Sequence, residues 1–120
     1  MVLADTSVWL DHWRHGNQRL ATLLNEGRVV VHPFVLGEIA LGTVTPRAEV
    51  LRRLAKLAVP RVAQHGEVMA LIDRTPLWGR GIGWVDAHLL ASALLDQLRL
   101  WTLDRRLALV ARDLEVALPT

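Results

Sequence analysis

Val2-Leu3-Ala4-Asp5-Thr6-Ser7-Val8-Trp9-Leu10-Asp11-His12-Trp13 is the segment whose reading decides the fold. Three apolar residues, too few for a helix, run into an aspartate. Behind it, apolar residues recur at helical spacing. The pattern predicts a short buried strand over Val2–Ala4 and a helix over Thr6–Arg14, with Asp5 at the junction. Similar junctions recur further along. Asp86 stands at the start of a helix predicted over Val85–Leu95. Asp104 ends an apolar run, Leu100–Leu103, and precedes a helix over Arg105–Arg112. If the runs are parallel strands, the aspartates emerge on one edge of one sheet. Ligands of open α/β sheets bind at that edge, beyond the carboxyl ends of the strands.

The intervening sequence fits the same architecture. His15-Gly16-Asn17 breaks the first helix, and a second is predicted over Gln18–Asn25, stopped near Gly27. Arg28–Val31 is β-branched and strand-like. Pro33 suits the first turn of a helix ending at Leu41, with Gly42 as its stop. Pro46 begins a helix through Leu57, Val59–Val62 reads as a short strand, and Glu67–Arg74 as a helix. Thr75–Gly83 holds one proline and three glycines and reads as a loop. Val116–Leu118 is placed to close the sheet. Strands alternating with helices predict an α/β fold with a mainly parallel sheet.

With 120 residues, 52% of them apolar, the chain has material for one core and is read as one domain over residues 1–120. It has no cysteine, which excludes disulfides and thiolate metal sites. Net charge is only +2. The high isoelectric point of about 10.4 reflects how few groups titrate between neutrality and high pH, not strong basicity. Lys56 is the single lysine. Arginine grips phosphate through a planar fork, although a GC-rich genome produces the same bias. No basic leader or span of roughly 20 apolar residues is visible. The chain is read as a soluble cytoplasmic protein.

Each aspartate has an ordinary explanation as a helix N-cap. Their joint placement points further. A fourth acid, Glu38, interrupts the apolar helix in HPFVLGEIALG, whose composition suggests a largely buried element. Glu38 there either faces solvent or points into a polar site. Four gathered carboxylates repel one another unless a cation neutralises them. Oxygen donors suit Mg²⁺ or Mn²⁺ rather than zinc. Such ions activate water for attack on a phosphodiester.

Together, DTSVWLDH, HPFVLGEIALG, GRGIGWVDAHLLASALL and LWTLDRRL resemble the PIN-domain nucleases, and more narrowly the VapC-type toxins of bacterial toxin–antitoxin pairs. The resemblance covers essentially the whole chain. It implies a three-layer α/β/α sandwich and Mg²⁺- or Mn²⁺-dependent endoribonuclease activity, with structured RNAs such as tRNA as frequent targets. Asp5, Glu38, Asp86 and Asp104 match the family's metal-binding acids. Thr6 matches the small hydroxyl residue that follows the first of them. A cognate antitoxin and a homodimer are also implied.

Other features carry less. The run Gly79-Arg80-Gly81-Ile82-Gly83 lacks the spacing of a dinucleotide fingerprint. In the resembling family this loop borders the active site, so Arg80 either contacts RNA phosphate there or is an ordinary exposed loop arginine. Arg105 and Arg106 either steer RNA or form a solvated helix face. His12 and His15 have tolerable metal spacing but worse placement than the acids, and His88 is expected near the pocket rather than on metal. Trp9 and Trp13 share a helix face, most simply for packing; base stacking is the rival role for the five tryptophans. Two other functions fit the composition: a non-catalytic PIN-like module that binds RNA or protein, and a different metal-dependent phosphoesterase. The second is weakened by Ser7, which stands where one such class carries a second acid.

Overall fold

The computed structural model describes residues 1–119. They form strands β1 (Val2–Ala4), β2 (Val29–Val30) and β3 (Arg99–Trp101). The helices are α1 (Thr6–His15), α2 (Gln18–Asn25), α3 (Pro33–Leu41), α4 (Arg47–Leu54), α5 (His65–Arg74), α6 (Trp84–Asp96) and α7 (Arg105–Asp113). The strands pair in the order β2-β1-β3, and both pairings are parallel, with Leu3 opposite Val30 and Leu100. Val2, Leu3 and Ala4 are completely buried. Successive strand residues point to opposite faces, so both faces of the sheet are covered and the fold is a three-layer α/β/α sandwich.

Single bridges widen the sheet on both sides. Ala58 pairs with Val30, and Ala117 with Leu100. The expected strand over Val59–Val62 is therefore corrected to one bridge at Ala58, just before it, where the Val31 N–H donates to the Ala58 carbonyl at 2.9 Å. Val59 and Val62 are 60% and 40% exposed: β-branched residues here found no second face to bury. Val116–Leu118 does reach the sheet. Leu100 N–H donates to the Val116 carbonyl at 2.7 Å, and Leu118 N–H to the Leu100 carbonyl at 2.9 Å.

Other corrections are local. α4 stops at Leu54 rather than Leu57, and the next residues turn to deliver Ala58 to the sheet. β2 is two residues shorter than expected, and β3 is shifted to start at Arg99 and end before Thr102. α3 is not largely buried. Only Val35 and Ile39 are, because the helix lies on the surface and presents one stripe inward. The longest helix, α6, is the core helix, buried from Ala87 through Ala93. No helix among the described residues is long and apolar enough to cross a membrane.

Parallel pairing gives β1 and β3 a common carboxyl edge. Asp5 follows β1 directly, and Thr102 follows β3. The Asp5 N–H donates to the Trp101 carbonyl at 3.0 Å, so the ladder's last bond locks the two strand ends side by side. Asp5 and Thr102, 97 positions apart in the chain, thereby enter one site.

Candidate active site

Asp5 caps α1, its side chain accepting from the Val8 N–H at 3.3 Å. The same oxygen accepts from the Ser7 hydroxyl at 2.5 Å. Its other oxygen accepts from the Thr102 hydroxyl. The Asp104 N–H in turn donates to the Thr102 oxygen at 3.0 Å, and the Leu103 N–H to Ser7 Oγ at 3.0 Å. Asp104 caps α7 through the Leu107 N–H, also at 3.0 Å. Capping thus holds for both residues, and it fixes their carboxylates at the sheet edge.

Glu38 arrives from α3. It is exposed, and its carboxylate accepts from the Thr6 hydroxyl at 2.7 Å, which ties it to the residue beside Asp5. Asp86 lies in the first turn of α6, and its Oδ2 accepts from the Gly83 N–H at 3.0 Å. Its charge reaches Asp5. Burial pushes the Asp5 carboxyl above its ordinary value; hydrogen bonds from Ser7, Thr102 and Val8 pull it back, and Asp86 pushes it up again. Thr6 thus ties Glu38, and Thr102 ties Asp104, to the segment that carries Asp5, while Asp86 is near enough for its charge to act on Asp5. Among the described residues none of these four acids joins an ion pair; those pairs belong to Asp11, Glu26, Glu49, Asp96 and Asp113.

A divalent cation fits this donor set in kind. Carboxylate oxygens are hard ligands, and a buried Asp5 beside Asp86 is a pair of like charges that a cation would relieve. Among the described residues no three His, Asp or Glu side chains close into a tight metal-binding group. Mg²⁺ does not require one, since it is usually held by one or two carboxylates and keeps several waters.

A family model for the PIN domain matches residues 2–113. The chain belongs to the PIN-domain family. It is 47% identical over 119 residues to proteins named Ribonuclease VapC32 from two Mycobacterium tuberculosis strains, CDC 1551 and H37Rv, covering 98% of this chain and 96% of each relative. Within the family it is therefore of the VapC type. The crystal structure of PAE2754 from Pyrobaculum aerophilum superposes with a TM-score of 0.60 at 19% identity, over 90% of this chain and 77% of that one. At that identity the likeness concerns the PIN fold alone.

Two site residues of this PIN domain escaped the sequence reading. Thr102 and Ser7 bridge Asp5 to the segment carrying Asp104. Their signal was present as a hydroxyl two positions from each aspartate, in Asp5-Thr6-Ser7 and Thr102-Leu103-Asp104. Arg80 is engaged by Asp113 at 2.8 Å, so contact with RNA requires it to exchange that partner. Arg106 packs against Gly81 instead: a Cβ there would lie 2.7 Å from Arg106 Cδ and Nη1. His12 accepts the Asn17 N–H at 3.1 Å and His15 contacts Asp11 at 3.3 Å, local roles away from the acids. Buried His88 lies 4.6 Å from the Phe34 ring and 4.8 Å from Trp84.

Proposed function

We propose that this PIN domain is an endoribonuclease that uses Mg²⁺ or Mn²⁺ and acts as the toxin of a toxin–antitoxin pair. The observation that supports the reading is Asp5, buried after β1 and bound by hydroxyls rather than by a basic side chain, with Glu38 and Asp104 tied to it through Thr6 and Thr102 and the charge of Asp86 acting on it. The name of the 47%-identical relatives supports RNA as the substrate, with structured RNA such as tRNA as the class to test first. Asp5, Asp86, Glu38 and Asp104 would hold the cation. When bound, it supplies Lewis acidity to the phosphodiester and lowers the pKa of the attacking water.

The chain's own groups do the positioning. Thr102 and Ser7 fix both oxygens of Asp5, so the carboxylate presents one orientation. Thr6 restrains Glu38, whose long side chain otherwise samples many rotamers on an exposed helix. Asp86 is held by the Gly83 amide at the positive end of α6, where anionic phosphate is also favoured. Arg106 offers a cation beside the same loop.

A cognate antitoxin and a homodimer complete the proposal. A 430 Å³ cleft lined by Trp9, Trp13, Leu24, Val50, Leu54 and Leu57 is apolar enough for an antitoxin segment. A second cleft of 310 Å³ shares Trp13 and Thr45 with it and reaches Thr6 and Glu38. A segment following both would cover the acids. Such a pair would work in the cytoplasm, where its RNA is.

The test is cleavage of total cellular RNA by the purified, antitoxin-free chain with Mg²⁺, with EDTA, and with Asp86→Asn beside the wild type. Discrete fragments that require both metal and Asp86 are expected. Cleavage that persists in Asp86→Asn, or is indifferent to EDTA, would overturn the mechanism.

A further inference from the structure

Beside the acids, the loop before α6 and the first turn of α6 form a cleft of 260 Å³ that the cleavage chemistry does not use. Trp78 and Trp84 both line it, with Ile72, Leu77, Ile82 and Ala87 as apolar companions. The two indoles are 66% and 41% exposed, so neither is serving as core. Trp84 is braced from behind: its ring lies 4.8 Å from the buried His88 ring in an edge-on contact and 5.2 Å from His65. His88 is itself packed on Phe34 at 4.6 Å. A flat aromatic surface is thus held rigidly at an open cleft.

The cleft adjoins the amide that holds Asp86. Gly83 belongs to its wall, and the Gly83 N–H is the donor that fixes Asp86. Trp84 and Asp86 share the first turn of α6 but project from different sides of it, with Gly83 between the cleft and the carboxylate. Arg106, which joins no ion pair among the described residues, packs against Gly81 of the same loop. Gly81 has a φ of +79°, so a side chain there would be strained as well as blocked. The aromatic surface, Arg106 and Asp86 are thus each tied to the loop before α6 or to the turn that follows it. Aromatic rings take unstacked bases through their π-faces, and arginine takes the adjoining phosphate. The greasy segment of a second copy would use the indoles but leave Arg106 and the acids unanswered.

We propose that this cleft receives one unstacked nucleobase of single-stranded RNA, next to the phosphodiester presented to Asp86, with Trp84 as the principal stacking face and Trp78 as the outer wall. The proposal rests on the ribonuclease reading for its substrate class, and its test reads binding rather than cleavage.

The probe is a fluorescein-labelled, mixed-sequence single-stranded RNA, titrated by anisotropy onto Asp86→Asn protein with and without Trp84→Ala, Trp84→Phe, Trp78→Ala or Arg106→Ala. Trp84→Ala is expected to weaken binding at least about fivefold, the low end for losing one base stack. Trp84→Phe, which keeps a π-face, should recover most of it. An abasic scan of the RNA should find one position whose base strengthens binding when Trp84 is present and makes no difference in the Trp84→Ala protein. Unchanged affinity in Trp84→Ala and Trp78→Ala with native circular dichroism would overturn the proposal, as would no measurable RNA binding. A fall in sedimentation coefficient for Trp84→Ala at unchanged RNA affinity would also overturn it and make the cleft an interface between copies. If the wild type fails to cleave RNA yet the stacking effect persists, the nuclease reading fails and the base site stands.

Discussion

Nine of the chain's twelve acids fall into two contrasting sets; Glu67, Asp73 and Glu115 stand outside both. Asp11, Glu26, Glu49, Asp96 and Asp113 each lie within 4 Å of a basic side chain. Asp5, Glu38, Asp86 and Asp104 are bound by hydroxyls and backbone amides. The first set sits on solvated surface, where an ion pair is worth little. The second includes Asp5, which is buried, feels the charge of Asp86 and is held above its ordinary pKa. An arrangement that costs stability without a cation gains it back when one binds. The difference is what the proposed cation site predicts: carboxylates near Asp5 whose charge no basic side chain of the chain offsets.

The largest effect should come from neutralising those carboxylates. Asp86→Asn and Asp5→Asn are each expected to lower RNA cleavage by roughly two to three orders of magnitude or more, as loss of a principal electrostatic contact does. Asp5→Asn should also stabilise the apo fold at neutral pH. A raised carboxyl pKa means the folded state binds a proton more readily than the unfolded chain, so stability falls as pH rises from about 4 through the folded value. Thermal unfolding should show the variant above wild type at pH 7 and the gap closing as pH is lowered toward 4. Mg²⁺ should raise the melting temperature of wild type more than that of the variant. An Asp5→Asn protein less stable than wild type at pH 7 would break the contrast between the two sets.

His32 sharpens the comparison from the opposite sign. It is fully buried as the N-cap of α3, and its Nδ1 accepts the Phe34 N–H at 3.0 Å. That bond puts the ring proton on Nε2, which has no partner. Burial, then His88, lowers its pKa to about 4. The unfolded chain takes a proton near 6.5, so this stability is complete above that pH and is lost as pH falls toward 4. The loss is on the order of 3 kcal/mol. His32→Asn keeps an N-cap acceptor and should flatten the pH 4–6.5 slope of unfolding free energy, whatever its absolute stability. An unchanged slope would assign the acid sensitivity to other groups.

Thr102→Val comes next. It removes the hydroxyl shared by Asp5 and Asp104 while keeping a β-branched side chain of similar volume. Losing an orienting partner of a metal ligand typically costs roughly ten- to a hundredfold. Cleavage should fall by that amount, with higher Mg²⁺ restoring part of it. Full activity at limiting Mg²⁺ would show that the acids hold their places without the bridge.

What the sequence revealed follows from the range of the interactions. Asp5 and Asp104 were legible because capping and strand ends are local, written within four residues. The parallel α/β order was legible from apolar runs alone. Thr102's role was not, because a threonine after a strand says nothing of its partner until β1 and β3 pair. Glu38's setting was misjudged for a related reason. The apolar composition of α3 suggested burial, but exposure depends on which layer the helix joins, and α3 shows solvent every residue except one stripe and its flanks. Val59 and Val62 were strand-like by propensity, yet a sheet edge accepts only as many residues as the neighbouring strand offers, and β2 is two residues long.

The smallest expected effect is a control from the paired set. Arg53 and Glu49 lie 2.6 Å apart, one helical turn from each other on α4, with side chains 75% and 41% exposed. Glutamate is on the N-terminal side, the better orientation at this spacing. Even so, water screens both groups, and ordering two long side chains offsets much of the attraction. A double-mutant cycle of Glu49→Ala and Arg53→Ala should give a coupling of about 0.3–0.5 kcal/mol, shrinking in salt, with RNA cleavage unchanged. Both residues line the apolar cleft beside Trp9 and Trp13, so the same variants can weaken antitoxin binding without touching catalysis. A coupling well above about 1 kcal/mol, or lost cleavage, would mean that charge on this face is tied to the proposed cation site, and the two sets of carboxylates would no longer be separable.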